Sequence, residues 1–198
     1  MRFSVRPSVV QLELESTPIG APAAMAIEWR RKTIAVLARW PTHAEESETM
    51  SATLRAKMLA YLEAHNVMTL ATAGPWAAAV FYVNEGFTLY FLSSPQTRHA
   101  QALAANPRVA ITIHEDYADW RSIKGIQLDG AAVQVSAEEC TRVRGLYGAK
   151  FPLIGEALKT KASIAKALTK IEWYKVTAQS VYFVDNSVAF GHRDRIDF

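Results

Sequence analysis

The sequence predicts an α+β fold, an antiparallel split β-barrel of about six strands with helices on its rim. Three observations lead there. Short segments alternate apolar and polar residues with period two, as half-buried strands do. Turn residues separate them at hairpin distance, Ala73-Gly74-Pro75 and Asn84-Glu85-Gly86 being the clearest cases. Helical periodicity is confined to one stretch before the strands, a short one between them and a later block, an order that argues against alternating βαβ units.

From Ser51 onward Leu54, Met58, Leu59 and Leu62 fall at helical spacing, with Thr49 or Ser51 as a cap, so a helix is expected over about 52–65. VMTLAT (67–72) and WAAAVFYV (76–83) read as paired strands, the second rich in small residues. FTLYFL (87–92) alternates, then Ser94-Pro95 changes the period. Ser is a good N-cap and Pro is at home in a first helical turn. Strand therefore feeds helix, with Arg98 and His99 in the first turn. Asn106-Pro107 stops that helix, and RVAITIH (108–114) is another strand. A polar loop with Trp120 and Arg121 leads to a long strand over 123–135, in which Gly125 and Gly130 mark bulges or close approaches. Residues 137–150 are helical, Phe151-Pro152 interrupts, and a second helical stretch runs to about Lys170. A strand over 173–184 with a break near Ala178 follows, and Val188–Phe190 is expected to add a short last pairing.

Residues 1–49 differ in character. They hold four of the eight prolines, and six basic residues offset six glutamates. No apolar period is sustained, so the segment is expected to be a poorly ordered extension ahead of one domain over 50–198.

A net charge of +3 in 198 residues gives no basic face of the kind nucleic acid requires. The lysines at 159, 161, 166 and 170 alternate with apolar residues and have no aromatic interleaving, which reads as a solvated helix face. No apolar run reaches membrane-spanning length, and Glu13 and Glu15 stand where a signal peptide would be apolar. The single cysteine, Cys140, excludes an internal disulfide. The expectation is a cytoplasmic protein with neither nucleic acid nor membrane as partner. Dinucleotide, nucleoside-triphosphate and hydrolase glycine motifs are missing, and the five histidines share no ligand spacing, so no metal site is expected.

The chemistry-bearing stretch is the strand-to-helix junction. A helix start has unpaired N–H groups and partial positive charge. With the hydroxyls of Ser93, Ser94 and Thr97 and the guanidinium of Arg98, it suits a phosphate. Read alone, the same residues also suit an ordinary capped helix with a solvated arginine.

Five segments in order, AYLEAHNVMTLAT, AAAVFYVNEGFTLYFLSSPQTRHAQAL, NPRVAITI, WRSIKGIQLDGAAV and VYFVDNSVAFG, make residues 51–198 resemble the pyridoxamine 5'-phosphate oxidase-like split-barrel superfamily, and within it a small bacterial branch. The resemblance implies a split β-barrel homodimer. It implies flavin mononucleotide (FMN) across the barrel strands near the interface, a small-molecule substrate and flavin-dependent hydride transfer. Carried onto this chain, Ser93, Thr97, Arg98 and His99 would hold the phosphate. Ala79, Val80, Phe81 and Tyr82 would run beside the ring, and Trp120, Lys124 and Gln127 would close the site. Trp120 also reads as a core anchor, and Lys124 and Gln127 as sheet-surface residues. Tyr82 and His99 are the candidate proton donors. Related branches use a deazaflavin or haem, and a non-catalytic flavin- or haem-binding sensor or carrier is the alternative. The ending FGHRDRIDF departs from the arginine-rich substrate signature of true pyridoxamine phosphate oxidases.

Overall fold

The computed structural model describes residues 43–154, 156 and 170–198. Most of the N-terminal extension, and Lys159, Lys161 and Lys166, lie outside the described residues. The elements run α1 (His43–Ala64), β1 (Val67–Thr72), β2 (Trp76–Glu85), β3 (Thr88–Ser93), α2 (Arg98–Ala105), β4 (Arg108–His114), β5 (Lys124–Gln134), α3 (Ala137–Lys150), β6 (Glu172–Asp185) and β7 (Arg193–Asp197).

Six strands close into an antiparallel barrel in the order β3-β2-β1-β4-β5-β6, with β3 returning to β6, and β7 adds a seventh on the far side of β6. Every pairing is antiparallel. One face of each barrel strand turns inward: Met68 and Leu70, Tyr82, Leu89 and Phe91, Ile111 and Ile113, Ile126 and Leu128, Val181 and Phe183 are all buried. Met58 and Leu62 of α1 join them, and each fully buried side chain of this size contributes about 1.5–3 kcal/mol. A second, smaller core forms outside the barrel, where Val143 and Tyr147 of α3 cover Val83, Tyr90 and Trp173. Both faces of β3 are therefore covered, which is why its Leu89, Tyr90 and Phe91 are all buried.

The barrel splits at β6. Residues 172–177 of β6 pair with β3, and residues 180–184 pair with β7. The changeover coincides with a register slip against β5: Asp129 faces Ser180 while Gly130 faces Ala178, leaving Gln179 as the extra residue. Gly130 is required there, because a Cβ on it would lie 2.2 Å from the backbone oxygen of Thr177.

Several boundaries differ from expectation. The first helix starts at His43, so Thr49 and Ser51 lie inside it rather than capping it. The cap of α2 is Thr97, not Ser94. The Ser94 carbonyl accepts from the Thr97 N–H at 3.0 Å and hydroxyl at 2.8 Å, closing a turn before the helix begins. Val188–Phe190 is turn, and the last pairing is made by β7, which begins at Arg193. Its sequence RDRID offers one apolar residue, so no alternation announced it. The break expected near Ala178 does not interrupt β6 but appears as the unpaired Gln179.

Candidate functional site

Strand β2 is ten residues long, but β3 pairs only with Tyr82–Glu85. From Trp76 to Phe81, β2 bonds β1 on one side and has no strand on the other among the described residues. Alternate N–H and C=O groups of that stretch point away from β1. The reason is local: β3 ends at Ser93 and its chain turns into α2 instead of continuing alongside. Ala77 and Ala79 lie on the outer face of this stretch, and Phe81 projects beside them with 51% exposure. Across the outer face Ala79 neighbours Thr69, Thr69 neighbours Thr112, and Thr112 neighbours Gln127. A shallow groove of about 350 Å³ runs there over Thr69, Ala71, Ala110, Thr112, Gln127, Asp129 and Tyr182.

At the end of this edge stands the start of α2. Arg98 is exposed, and its Cζ lies 4.5 Å from the centroid of the Trp76 ring. No carboxylate pairs with it among the described residues. The Ala100 N–H is taken by the Thr97 hydroxyl at 3.3 Å, while the N–H groups of Arg98 and His99 have no protein partner among the described residues.

The hydroxyls behind them are engaged with one another. Ser93 Oγ lies 2.6 Å from His99 Nε2 and 2.9 Å from Thr97 Oγ1, and Thr97 Oγ1 donates to Ser94 O at 2.8 Å. With the Thr97 hydrogen on Ser94 O, hydrogen counting leaves Ser93 to donate to Thr97 and the Nε2–H of His99 to donate to Ser93. The tautomer of His99 and both hydroxyl orientations are thus set together. Burial holds the His99 pKa below its ordinary value.

The remaining sequence-derived residues are dispersed by strand parity. Val80 and Tyr82 face the core while Ala79 and Phe81 face out. Tyr82 is fully buried and its hydroxyl donates to Leu62 O at 2.7 Å, so it caps the end of α1. Burial raises its pKa well above the ordinary tyrosine value. Lys150 caps the same helix end, its Nζ lying 2.6 Å from His65 O and 4.5 Å from the Tyr82 ring centroid. Lys124 and Gln127 lie on opposite faces of β5. Gln127 lines the outer groove, whereas Lys124 sits at the barrel mouth, 3.9 Å from the buried Asp185 carboxylate that Lys57 grips at 2.9 Å. Trp120 packs edge-on against Phe190 at 5.3 Å, and the Asn186 amide donates to its carbonyl at 2.8 Å. Arg98 thus stands at the Trp76 end of the open edge, Ala79 and Phe81 lie along that edge on the outer face, Gln127 lies in the adjoining groove, and Lys124 does not share that face. Sequence reasoning does not single out Trp76. Its one signal there is its place directly after a Gly-Pro turn, opening a strand that faces the α2 junction.

Residues 54–185 match a family model described as Pyridoxamine 5'-phosphate oxidase. A UPF0306 protein from Photorhabdus laumondii is 29% identical over 138 residues, covering 67% of this chain and 88% of its own length. A heme binding protein from Mycobacterium smegmatis aligns with TM-score 0.56 and 22% identity over 71% of this chain and 57% of its own. An FAD-binding protein from Mesorhizobium loti aligns with TM-score 0.50 and 19% identity over 64% and 90%. Structural identities this low speak to the fold alone.

Proposed function

The chain belongs to the pyridoxamine 5'-phosphate oxidase family, and from that premise we propose that it binds FMN along the open edge of β2 and transfers hydride to or from a small molecule. The observation that carries the reading is the coincidence of two features. A strand edge with alanine side chains lets a flat ring approach main-chain donors and acceptors closely. At its end, a guanidinium and two N–H groups that have no carboxylate or hydrogen-bond partner among the described residues suit a phosphate.

Arg98 and the N–H groups of Arg98 and His99 would take the phosphate. Ala79 and Phe81 would flank the ring, and Gln127 lies within reach of a molecule that extends into the groove. Ser93 and Thr97 act one step back, by orienting His99 and capping the helix. The flavin supplies the redox chemistry once bound, and the chain supplies placement, exclusion of water and local charge. Tyr82 is committed to the Leu62 carbonyl, which leaves His99 as the proton-handling candidate near the anion. Its depressed pKa keeps it neutral at pH 7, a state in which it exchanges a proton through Ser93.

A homodimer belongs to the same proposal. Val67 and Phe81 face each other across β1 and β2 on the outer surface, both substantially exposed, and a second copy laid there would cover them and wall the groove. The other reading, a flavin or haem carrier without turnover, draws support from the likeness in fold to proteins described as heme-binding and heme-storage.

The test is an absorption spectrum of the purified protein with mass spectrometry of what denaturation releases. An FMN-like spectrum and mass are expected, with reduction by a nicotinamide nucleotide and reoxidation by a second substrate. A Soret band would establish haem, and a colourless protein that takes up no added FMN would overturn the proposal. Arg98→Ala should weaken FMN by about 1.5–3 kcal/mol and leave riboflavin unaffected, since a charge-assisted bond to phosphate is lost.

A further inference from the structure

We propose that Trp76 is a positioning residue that holds Arg98 ready for the phosphate. The inference rests on the FMN reading above and deepens it by naming what sets the arginine in place.

Trp76 opens β2 immediately after the turn at Gly74-Pro75, and it sits opposite Thr72 in the β1–β2 register. Gly74 has φ +85, which lets the hairpin fold back sharply beside the start of α2. The register and the turn together fix where the indole lies. Arg98 is the first residue of α2, and its guanidinium stacks over that indole with Cζ 4.5 Å from the ring centroid. Arg121, Arg142 and Arg195 are anchored by carboxylates, whereas Arg55, like Arg98, lies over aromatic rings. Arg98 is not paired in this way among the described residues.

The difference matters chemically. A carboxylate partner would occupy the N–H edge of the guanidinium and cancel the charge that an anion needs. An aromatic ring under the guanidinium instead brings no carboxylate charge and no oxygen lone pair to the group. It restrains the long side chain while leaving the N–H edge and the full charge available. A freely rotating arginine must surrender its rotamers when an anion arrives, whereas a stacked one has already done so. Trp76 therefore acts on phosphate through Arg98.

The experiment measures FMN and riboflavin dissociation constants, by flavin fluorescence quenching, for wild type, Trp76→Leu, Trp76→Phe, Arg98→Ala and Trp76→Leu/Arg98→Ala, each checked for an unchanged melting transition. Trp76→Leu should weaken FMN roughly 5–10-fold with riboflavin within about two-fold of wild type, and Trp76→Phe should restore most of the loss. The double variant should bind FMN no more weakly than Arg98→Ala alone, because the ring has nothing left to position. Equal weakening of both ligands by Trp76→Leu, or full additivity with Arg98→Ala, overturns the inference while leaving the FMN reading intact. Failure of Arg98→Ala to discriminate the two ligands removes Arg98 from the phosphate and overturns this inference, whereas failure of wild type to bind FMN overturns the FMN reading and this inference with it.

Discussion

Gly130→Ala is the substitution that most directly tests how the barrel divides. The added Cβ would stand 2.2 Å from Thr177 O and 3.1 Å from Ala178 Cα, both backbone atoms of the partner strand. Neither is the end of a flexible side chain, so β5 and β6 must part by about 1 Å at a point where the interior is close-packed. Overpacking of this kind costs about 1–3 kcal/mol. The ladder bonds next to the register slip would lengthen or break at about 0.5–1.5 kcal/mol each. A total near 3–4 kcal/mol follows, and at about 2–4 °C per kcal/mol for a chain of this size the melting midpoint should fall by roughly 10 °C. Gly145→Ala is the control, since its Cβ would meet nothing within 4 Å and it lies inside α3. That change should be neutral or stabilising by about 0.5–1 kcal/mol. Calorimetry or circular dichroism on both variants decides the matter. A Gly130→Ala protein melting within about 2 °C of wild type would refute the close approach and the account of the β6 changeover built on it.

Two further outcomes are expected. The unfolded chain protonates His99 near the ordinary value of 6.5, while burial makes the folded chain resist, so stability from this residue is complete above that value and drains away as pH falls below it. Urea midpoints should therefore drop less between about pH 7.5 and 5.5 in His99→Gln than in wild type; identical drops would remove His99 from the pH response. The Thr72 hydroxyl is buried without a hydrogen-bond partner among the described residues, so Thr72→Val should raise stability by about 1 kcal/mol, read as a higher urea midpoint, and a lower midpoint would mean that the hydroxyl has an unseen partner.

Most of the barrel is legible in the sequence because its strands bury one face. The bounds of β1 and β4 emerge from alternation alone, with Met68, Leu70, Ile111 and Ile113 pointing inward. β7 is not legible, since an edge strand with a single apolar residue has no burial pattern to display. Thr97 takes the capping role from Ser94 because three hydrogen bonds in the 94–97 turn outweigh a local preference that both residues share. In the candidate site, strand parity already separates two of the expected residues: Lys124 and Gln127 are three apart on one strand, so they have to face opposite ways. The open stretch of β2 leaves no trace in the sequence. It depends on where β3 ends and turns into α2, after Ser93, rather than on any residue within 76–81.

That open stretch has a consequence beyond ligand binding. Main-chain donors and acceptors without a neighbouring strand among the described residues form a template, and another extended chain would add to it as readily as a ring would lie along it. The alanines along it carry no charge to repel such an intruder. The cofactor proposed above would therefore also act as a guard, and the colloidal behaviour of the protein would follow how fully it is loaded.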